Sequence, residues 1–310
     1  MKRLVTFALL MLVFFLAACS PKSATDDSEK TLTLGVMPSN DNIPLIVAQQ
    51  QGFDQKHGFK LKLENFKSPK ERDAAFQAGK VDGINTDLVA VALAIQGGMD
   101  VKITGSTYGT FDLVSNDPAV HQLSDLTDKD VLLTRNNSTE YAVDQLFKAA
   151  HVTSSTIKRV DLPQVPTRLE LLKNHKAAAA ILPEPFTTMG KAAGMNVLAS
   201  TRASGINPFV MAFENKTITK KTKEIKAMYA AYNDAVAWMK NNPKEKYLDL
   251  FIKEIGFPKS LKDQIEVPAY PEASQTTTQD ITAAFAWAKE KGLLKKEIQP
   301  KDVLSDVYFK

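Results

Sequence analysis

The chain has 310 residues, 44% of them hydrophobic and 24% charged, with 39 basic against 35 acidic side chains. That composition belongs to a folded protein, and the length suits two domains of ordinary size. The formal charge is only +4, with both signs mixed along the chain and no basic stripe, which argues against nucleic acid as a partner.

Met1-Lys2-Arg3 is followed by an apolar run from Leu4 to Ala18, broken only by Thr6. This order reads as a secretory signal peptide over 1–18, because the run is shorter than the roughly 20 apolar residues that cross a bilayer. Leu16-Ala17-Ala18-Cys19 resembles the bacterial lipobox. The resemblance implies that Cys19 becomes the mature N-terminus and carries diacylglycerol and palmitate. One acyl chain anchors weakly, at about 0.8 kcal/mol per buried methylene, so stable attachment needs more than one. Cys19 is the only cysteine, so no internal disulfide forms and burial alone must stabilise the mature protein. Residues 20–30 (SPKSATDDSEK) are polar, so 19–30 reads as a lipidated, flexible tether. Loss of Lys2 and Arg3 with the signal lowers the charge from +4 to +2.

From Thr31 the pattern alternates strand and helix. Strands are expected at Leu32–Val36, Phe59–Phe66, Val81–Ile84 and Val101–Gly105, with helices at Ile43–Gln51, Lys70–Gln77 and Leu88–Gln96. Such alternation implies a mostly parallel sheet flanked by helices. A second series follows Asp117-Pro118. Its strands are expected at Val131–Thr134, Lys158–Asp161, Ala178–Leu182 and Asn196–Ala199, and its helices at Tyr141–Ala150, Thr167–Asn174 and Phe186–Ala193. The two series echo each other, since Arg72 precedes Lys80, and Arg168 precedes Lys176, by the same eight residues.

Phe209–Phe213 reads as a further strand, and everything from Thr219 onward reads as helical. Lys223–Met239 carries apolar residues at helical spacing on one face, and Asn242-Pro243 ends it, with Pro243 opening the next helix. These helices are expected to pack on the first half, so the chain crosses twice, near Ser115 and near Asn207. The expected division is 31–115 with 208–310 as the first lobe, and 116–207 as the second.

Gly35-Val36-Met37-Pro38, Ile43 to Ala48 with Gly52-Phe53, Phe76 to Gly83 (FQAGKVDG) and Glu184-Pro185-Phe186 carry a resemblance that covers about Leu32 to Ala212. These segments resemble the ABC-transporter solute-binding proteins that include binders of sulfonates, nitrate and thiamine-pyrimidine precursors. The resemblance implies the two-lobed type II periplasmic-binding-protein fold, a small-molecule solute, an ABC permease as partner, a monomer without cofactor, and a place at the outer face of the cell membrane. Ala177 to Ala180 depart from the family pattern, which usually has an acid there.

Ligands of open parallel sheets sit beyond the carboxyl ends of the strands. That rule selects the loop Ser39-Asn40-Asp41-Asn42 after the first strand, with Ser39, Asn40 and Asn42 as its candidates, Thr86 and Asp87 after the third, and Ser106-Thr107-Tyr108 after the fourth, with Tyr108 as its candidate. In the second lobe it selects Asn136, Asn137, Ser138, Thr139 and Glu184. Helix capping explains any one of these equally well. The cleft side chains include Asp87, Glu140 and Glu184 against one base, Arg135, which points to a neutral or amino-bearing heterocycle rather than a sulfonate or nitrate. Tyr108, Phe186 or Phe209 would stack on it.

Two other classes compete. Pyrimidine-precursor-synthesising enzymes share the fold, but they need reactive cysteines and histidines. His57, His121, His151 and His175 are scattered without metal-ligand spacing, and no phosphate loop or nucleophile elbow is present. A surface receptor uncoupled from transport would leave no short motif.

Overall fold

The computed structural model describes residues 30–309; the expected signal peptide, Cys19 and the tether before Lys30 lie outside them. In chain order the principal elements of the first half are β1 (Thr31–Val36), α1 (Ile43–Gln50), β2 (Lys60–Asn65), α2 (Pro69–Gln77), β3 (Gly83–Asp87), α3 (Leu88–Gln96) and β4 (Val101–Ser106). Then come β5 (Phe111–Ser115), β6 (Asp130–Leu133), α4 (Ser138–Ala149), β7 (Lys158–Asp161), α5 (Val165–Lys173), β8 (Ala179–Pro183), α6 (Phe186–Ala192) and β9 (Asn196–Ser200). The chain ends with β10 (Phe209–Glu214), α7 (Thr222–Lys240), α8 (Thr278–Glu290) and shorter turns.

Two five-stranded sheets result, ordered β2-β1-β3-β10-β4 and β7-β6-β8-β5-β9. In the first, β1 runs parallel to β2 and β3, while β10 runs antiparallel between β3 and β4. In the second, β6 runs parallel to β7 and β8, while β5 runs antiparallel between β8 and β9. Each sheet thus has four strands in one direction and one opposed strand that arrives from the other half. The α/β, two-lobed, mostly parallel architecture expected from the alternation is present.

The crossings lie at 107–110 and 201–208. Ser115 is therefore not the end of the first half: β5 pairs Ser115 with Ala179 of β8 and Asn196 of β9. The strand is hard to see in sequence because it is buried on both faces, so Asp112 and Ser115 sit inside without any alternation.

The FQAGKVDG segment has a mechanical reading. Gly79 takes φ +67° after α2, where a side chain would be strained. Asp82 accepts from the Thr33 amide at 2.8 Å and pairs with Lys221 at 2.8 Å. Gly83 lies under the Phe213 ring, and a Cβ there would fall 2.3 Å from it.

The duplicated arginines also have a shared role. Arg72 on α2 donates to the carbonyl of Asn85 at 3.0 Å, and Arg168 on α5 donates to that of Ile181 at 2.9 Å, thirteen residues later in both cases. Both guanidinium groups are buried, and each ties its helix to the third parallel strand of its sheet.

The C-terminal segment packs on the first lobe, α7 against α1 and α8 against α3. It is not helical throughout. After a turn at Lys259–Gln264 the chain runs without regular structure through Val267–Thr277, where Pro268 and Pro271 interrupt helix hydrogen bonding. Pro243, expected to open a helix, instead caps a single 3-10 turn at Lys244–Lys246. The segment also touches the second lobe, since Trp287 donates to Asp144 at 2.8 Å and Lys291 pairs with Glu140 at 3.0 Å. No helix of the described residues is long and apolar enough to cross a membrane.

Candidate functional site

The carboxyl ends of β1, β3 and β4 converge on a buried polar network. Asn40, Asp41 and Asn42 form a 3-10 turn between β1 and α1, and all three are buried. Asn85 Nδ2 donates to Asp41 Oδ2 and to Asn42 Oδ1, each at 2.8 Å. The Thr107 hydroxyl shares its one proton between Asn85 Oδ1 at 2.8 Å and Asp41 Oδ2 at 3.1 Å. Asn42 Nδ2 donates to the Met37 carbonyl at 2.6 Å. Two acceptors, Asn40 Oδ1 and Asp41 Oδ1, are buried with no donor among the described residues.

The irregular segment 267–277 closes one side of this network. Tyr270 donates to the Asn40 carbonyl at 2.7 Å, and the Ser106 amide donates to the Ser274 carbonyl at 2.9 Å. Tyr108 meets the Ser274 hydroxyl at 2.5 Å. Arg202, from the second crossing, donates to the Tyr108 carbonyl at 2.8 Å and so ties the two crossings together. Burial and the nearby Asp41 charge push the hydroxyls of Tyr232 and Tyr270 upward in pKa.

At the carboxyl end of β8 the second lobe carries two carboxylates, Glu184 after the strand and Asp112 on β5 opposite Leu182. Asp112 on β5 is buried near the hydroxyls of Ser200 and Thr187, and burial raises its pKa. Glu184 accepts from the Thr188 amide at 3.1 Å and hydroxyl at 2.9 Å. Burial raises it too, and Asp112 adds to the rise. Lys191 attracts both but bonds to Glu266 of the irregular segment's edge at 2.5 Å, a link between the lobes.

The sequence-derived candidates divide. Asn40 and Asn42 belong to the network, and Tyr108 borders it. Ser39 makes no capping bond with its side chain. Thr86 is buried and accepts from Arg72 at 2.7 Å, so its hydroxyl is structural. Asp87 caps α3 through the Ala90 amide at 2.9 Å and also takes the Ser138 hydroxyl across the lobes. Asn137 and Thr139 cap α4 and each other, with Asn137 Oδ1 accepting from the Thr139 amide at 2.9 Å. Asn136, at φ +58°, gives its amide to Glu140.

Glu140 is spent on Asn136 and Lys291, and exposed Arg135 on the carbonyl of Arg159. Phe209 packs against Phe111 with centroids 4.9 Å apart and covers Gly109, so it fills the crossing. Phe186 packs in the core of the second lobe. Sequence reasoning missed Asn85, Asp112 and Tyr270, and it selected the loops that hold Asp41 and Thr107 without singling these two out. Asp41 stood inside the selected loop, and its charge beside two amides was the available signal.

His121, His151 and His175 are exposed, and His57 bonds to Asp234 at 3.0 Å. Among the described residues no group of His, Cys, Asp and Glu is placed to hold a metal. A cavity of about 610 Å³ opens at the opposite, amino-terminal ends of β6–β8, beside Lys129, Lys158 and Lys176. Its Lys129 is paired with Asp117 at 2.7 Å, and no unanswered buried acceptor lies in it. The strand-end network is the better site on that ground.

The chain belongs to the NMT1/THI5-like family, whose model matches residues 39–246. A curated relative from Brachyspira hyodysenteriae, provisionally named an ABC transporter periplasmic binding protein, is 25% identical over 216 residues, 64% of this chain and 62% of the relative. The match therefore spans less than two thirds of that relative's length. The fold is shared with the periplasmic aliphatic sulphonate binding protein SsuA of Escherichia coli, at TM-score 0.75 and 15% identity, covering 89% of this chain and 92% of that one. It is also shared with the desulfurization enzyme DSZB, at TM-score 0.63 and 11% identity, covering 89% and 96%.

Proposed function

We propose that the protein is the extracytoplasmic solute-binding component of an ABC importer, held at the membrane by lipid on Cys19 and working as a monomer that hands its solute to a permease. The curated relative's name, the family and the two-lobed fold support this reading. One observation carries it: strand ends of the first lobe meet in a buried polar network with two acceptors unanswered, beside both crossings. A site of this kind is finished by a solute.

In this reading one lobe comprises 31–106 and 209–310 and the other 111–200, with 107–110 and 201–208 as the hinge. The solute contacts Ser39, Asn40, Asp41 and Tyr108 from the first lobe and Asp112 and Glu184 from the second. The preferred solute is a vitamin-precursor-like heterocycle rather than a sulfonate or nitrate, because the site is rich in acceptors and carboxylates. No chemical step is part of the proposal. The shared fold with an enzyme makes turnover a fair test, since fold alone does not fix function.

A thermal-shift screen of the purified protein against vitamin precursors, sulfonates, nitrate and amino acids tests the reading. A true solute at a hundredfold excess over Kd raises stability by about 2.7 kcal/mol and is recovered unchanged. A screen without any stabilising compound, or recovery of a converted product, contradicts it.

A further inference from the structure

We propose that the unanswered acceptors of Asn40 and Asp41 receive a cationic nitrogen group with two or more N–H donors, of the amidinium or protonated amino-heterocycle class. The inference rests on the solute-binding reading and deepens it by naming the chemistry of the anchor.

Asp41 is 4% exposed and Asn40 is 7% exposed. Of the two Asp41 oxygens, Oδ2 takes a bond from Asn85 Nδ2 at 2.8 Å and a share of the Thr107 hydroxyl proton at 3.1 Å. Both donors are neutral, and Oδ1 takes none. Among the described residues no lysine, arginine or histidine pairs with Asp41. The two guanidinium groups that flank the network are already committed, Arg72 to Asn85 and Thr86, and Arg202 to the Tyr108 carbonyl. The phenols close by are committed as well: Tyr270 donates to the Asn40 carbonyl at 2.7 Å, and Tyr232 to the Pro271 carbonyl at 3.3 Å.

A buried carboxylate bound only by neutral donors keeps its charge uncompensated, which is costly in a poorly solvated place. A carboxylate only accepts, so the partner must donate, whichever way the Asn40 amide is turned. An anionic solute would face this fixed charge with no base to offset it. A cation with N–H donors answers the free oxygen and the charge together, through charge-assisted bonds stronger than neutral ones.

The test is isothermal titration of the purified protein with a shape-matched pair, benzamidine and benzoate, and with 4-amino-2-methylpyrimidine, methanesulfonate and nitrate. The expected result is binding of benzamidine or the aminopyrimidine and none of the three anions. Asp41→Asn should weaken that binding by at least about thirtyfold, the scale for removing one member of a buried charge pair. Its melting temperature without ligand should not fall, because the new amide oxygen can keep the bonds from Asn85 and Thr107.

Unchanged affinity in Asp41→Asn overturns the inference. So does a wild-type protein that binds an anion and no cation, which would leave the solute-binding reading standing. The wild-type choice between benzamidine and benzoate needs no variant, so it decides even if Asp41→Asn fails to fold. Binding of none of the five overturns the inference and, together with a blank screen, the reading beneath it.

Discussion

At the scale of single residues, the chemistry is dominated by carboxylates taken out of water. Asp112 lies inside the second sheet, and burial raises its folded pKa above 3.8. The folded chain then holds that proton to higher pH than the unfolded chain does. The stabilising contribution is complete below 3.8 and is lost as pH rises through the raised value. Asp112→Asn keeps the shape and an acceptor oxygen near Ser200 and Thr187 but cannot ionise. Its melting temperature relative to wild type should therefore climb as pH rises above 3.8, by about 2 to 4 °C for each kcal/mol. A difference that stays constant with pH would show that Asp112 ionises freely in the fold.

The same scale explains which site residues were legible. Loop position after a strand found Asn40, Asn42 and Tyr108, because backbone topology sets where strands end. It could not separate them from Thr86, Asn137 and Thr139, whose hydroxyls and amides serve Arg72 and a helix cap. Capping and binding use the same side chains, so only the finished hydrogen-bond network distinguishes them.

At the scale of elements, tight contacts between β3 and β10 hold the first sheet together where the chain returns from the second lobe. Phe213 is fully buried and occupies the space a side chain at Gly83 would need. Gly83→Ala should cost about 1 to 3 kcal/mol, as overpacking does, read as a lower urea midpoint at unchanged slope. An unchanged midpoint would mean that the ring moves aside freely.

Alternation with period two revealed β2 (KLKLEN), whose outer face meets water. It missed β5, because a strand covered on both faces has no polar side to mark its period. The run from Val267 to Thr277 lies in the stretch whose sequence pattern reads as helical, but Pro268 and Pro271 leave it irregular, and it supplies Tyr270 and Ser274 to the site. The Arg72 and Arg168 echo, by contrast, proved to be one device used twice, a buried guanidinium bonded to a carbonyl thirteen residues on.

At the scale of the whole molecule, two sheets of equivalent topology are joined by two crossings that Arg202 and the Phe111–Phe209 contact bind together. The lobes meet through Asp87 and Ser138, through the Trp287 and Lys291 cluster, and through the half-exposed Lys191–Glu266 pair. The last of these is exposed enough to contribute little on its own, as surface ion pairs do. Opening therefore meets little resistance there, and under the proposed function a solute that bridges the two lobes would shift the population toward closure. Small-angle scattering with and without a saturating solute tests this most directly. The account predicts a smaller radius of gyration when solute is bound; an unchanged radius at confirmed saturation would contradict it.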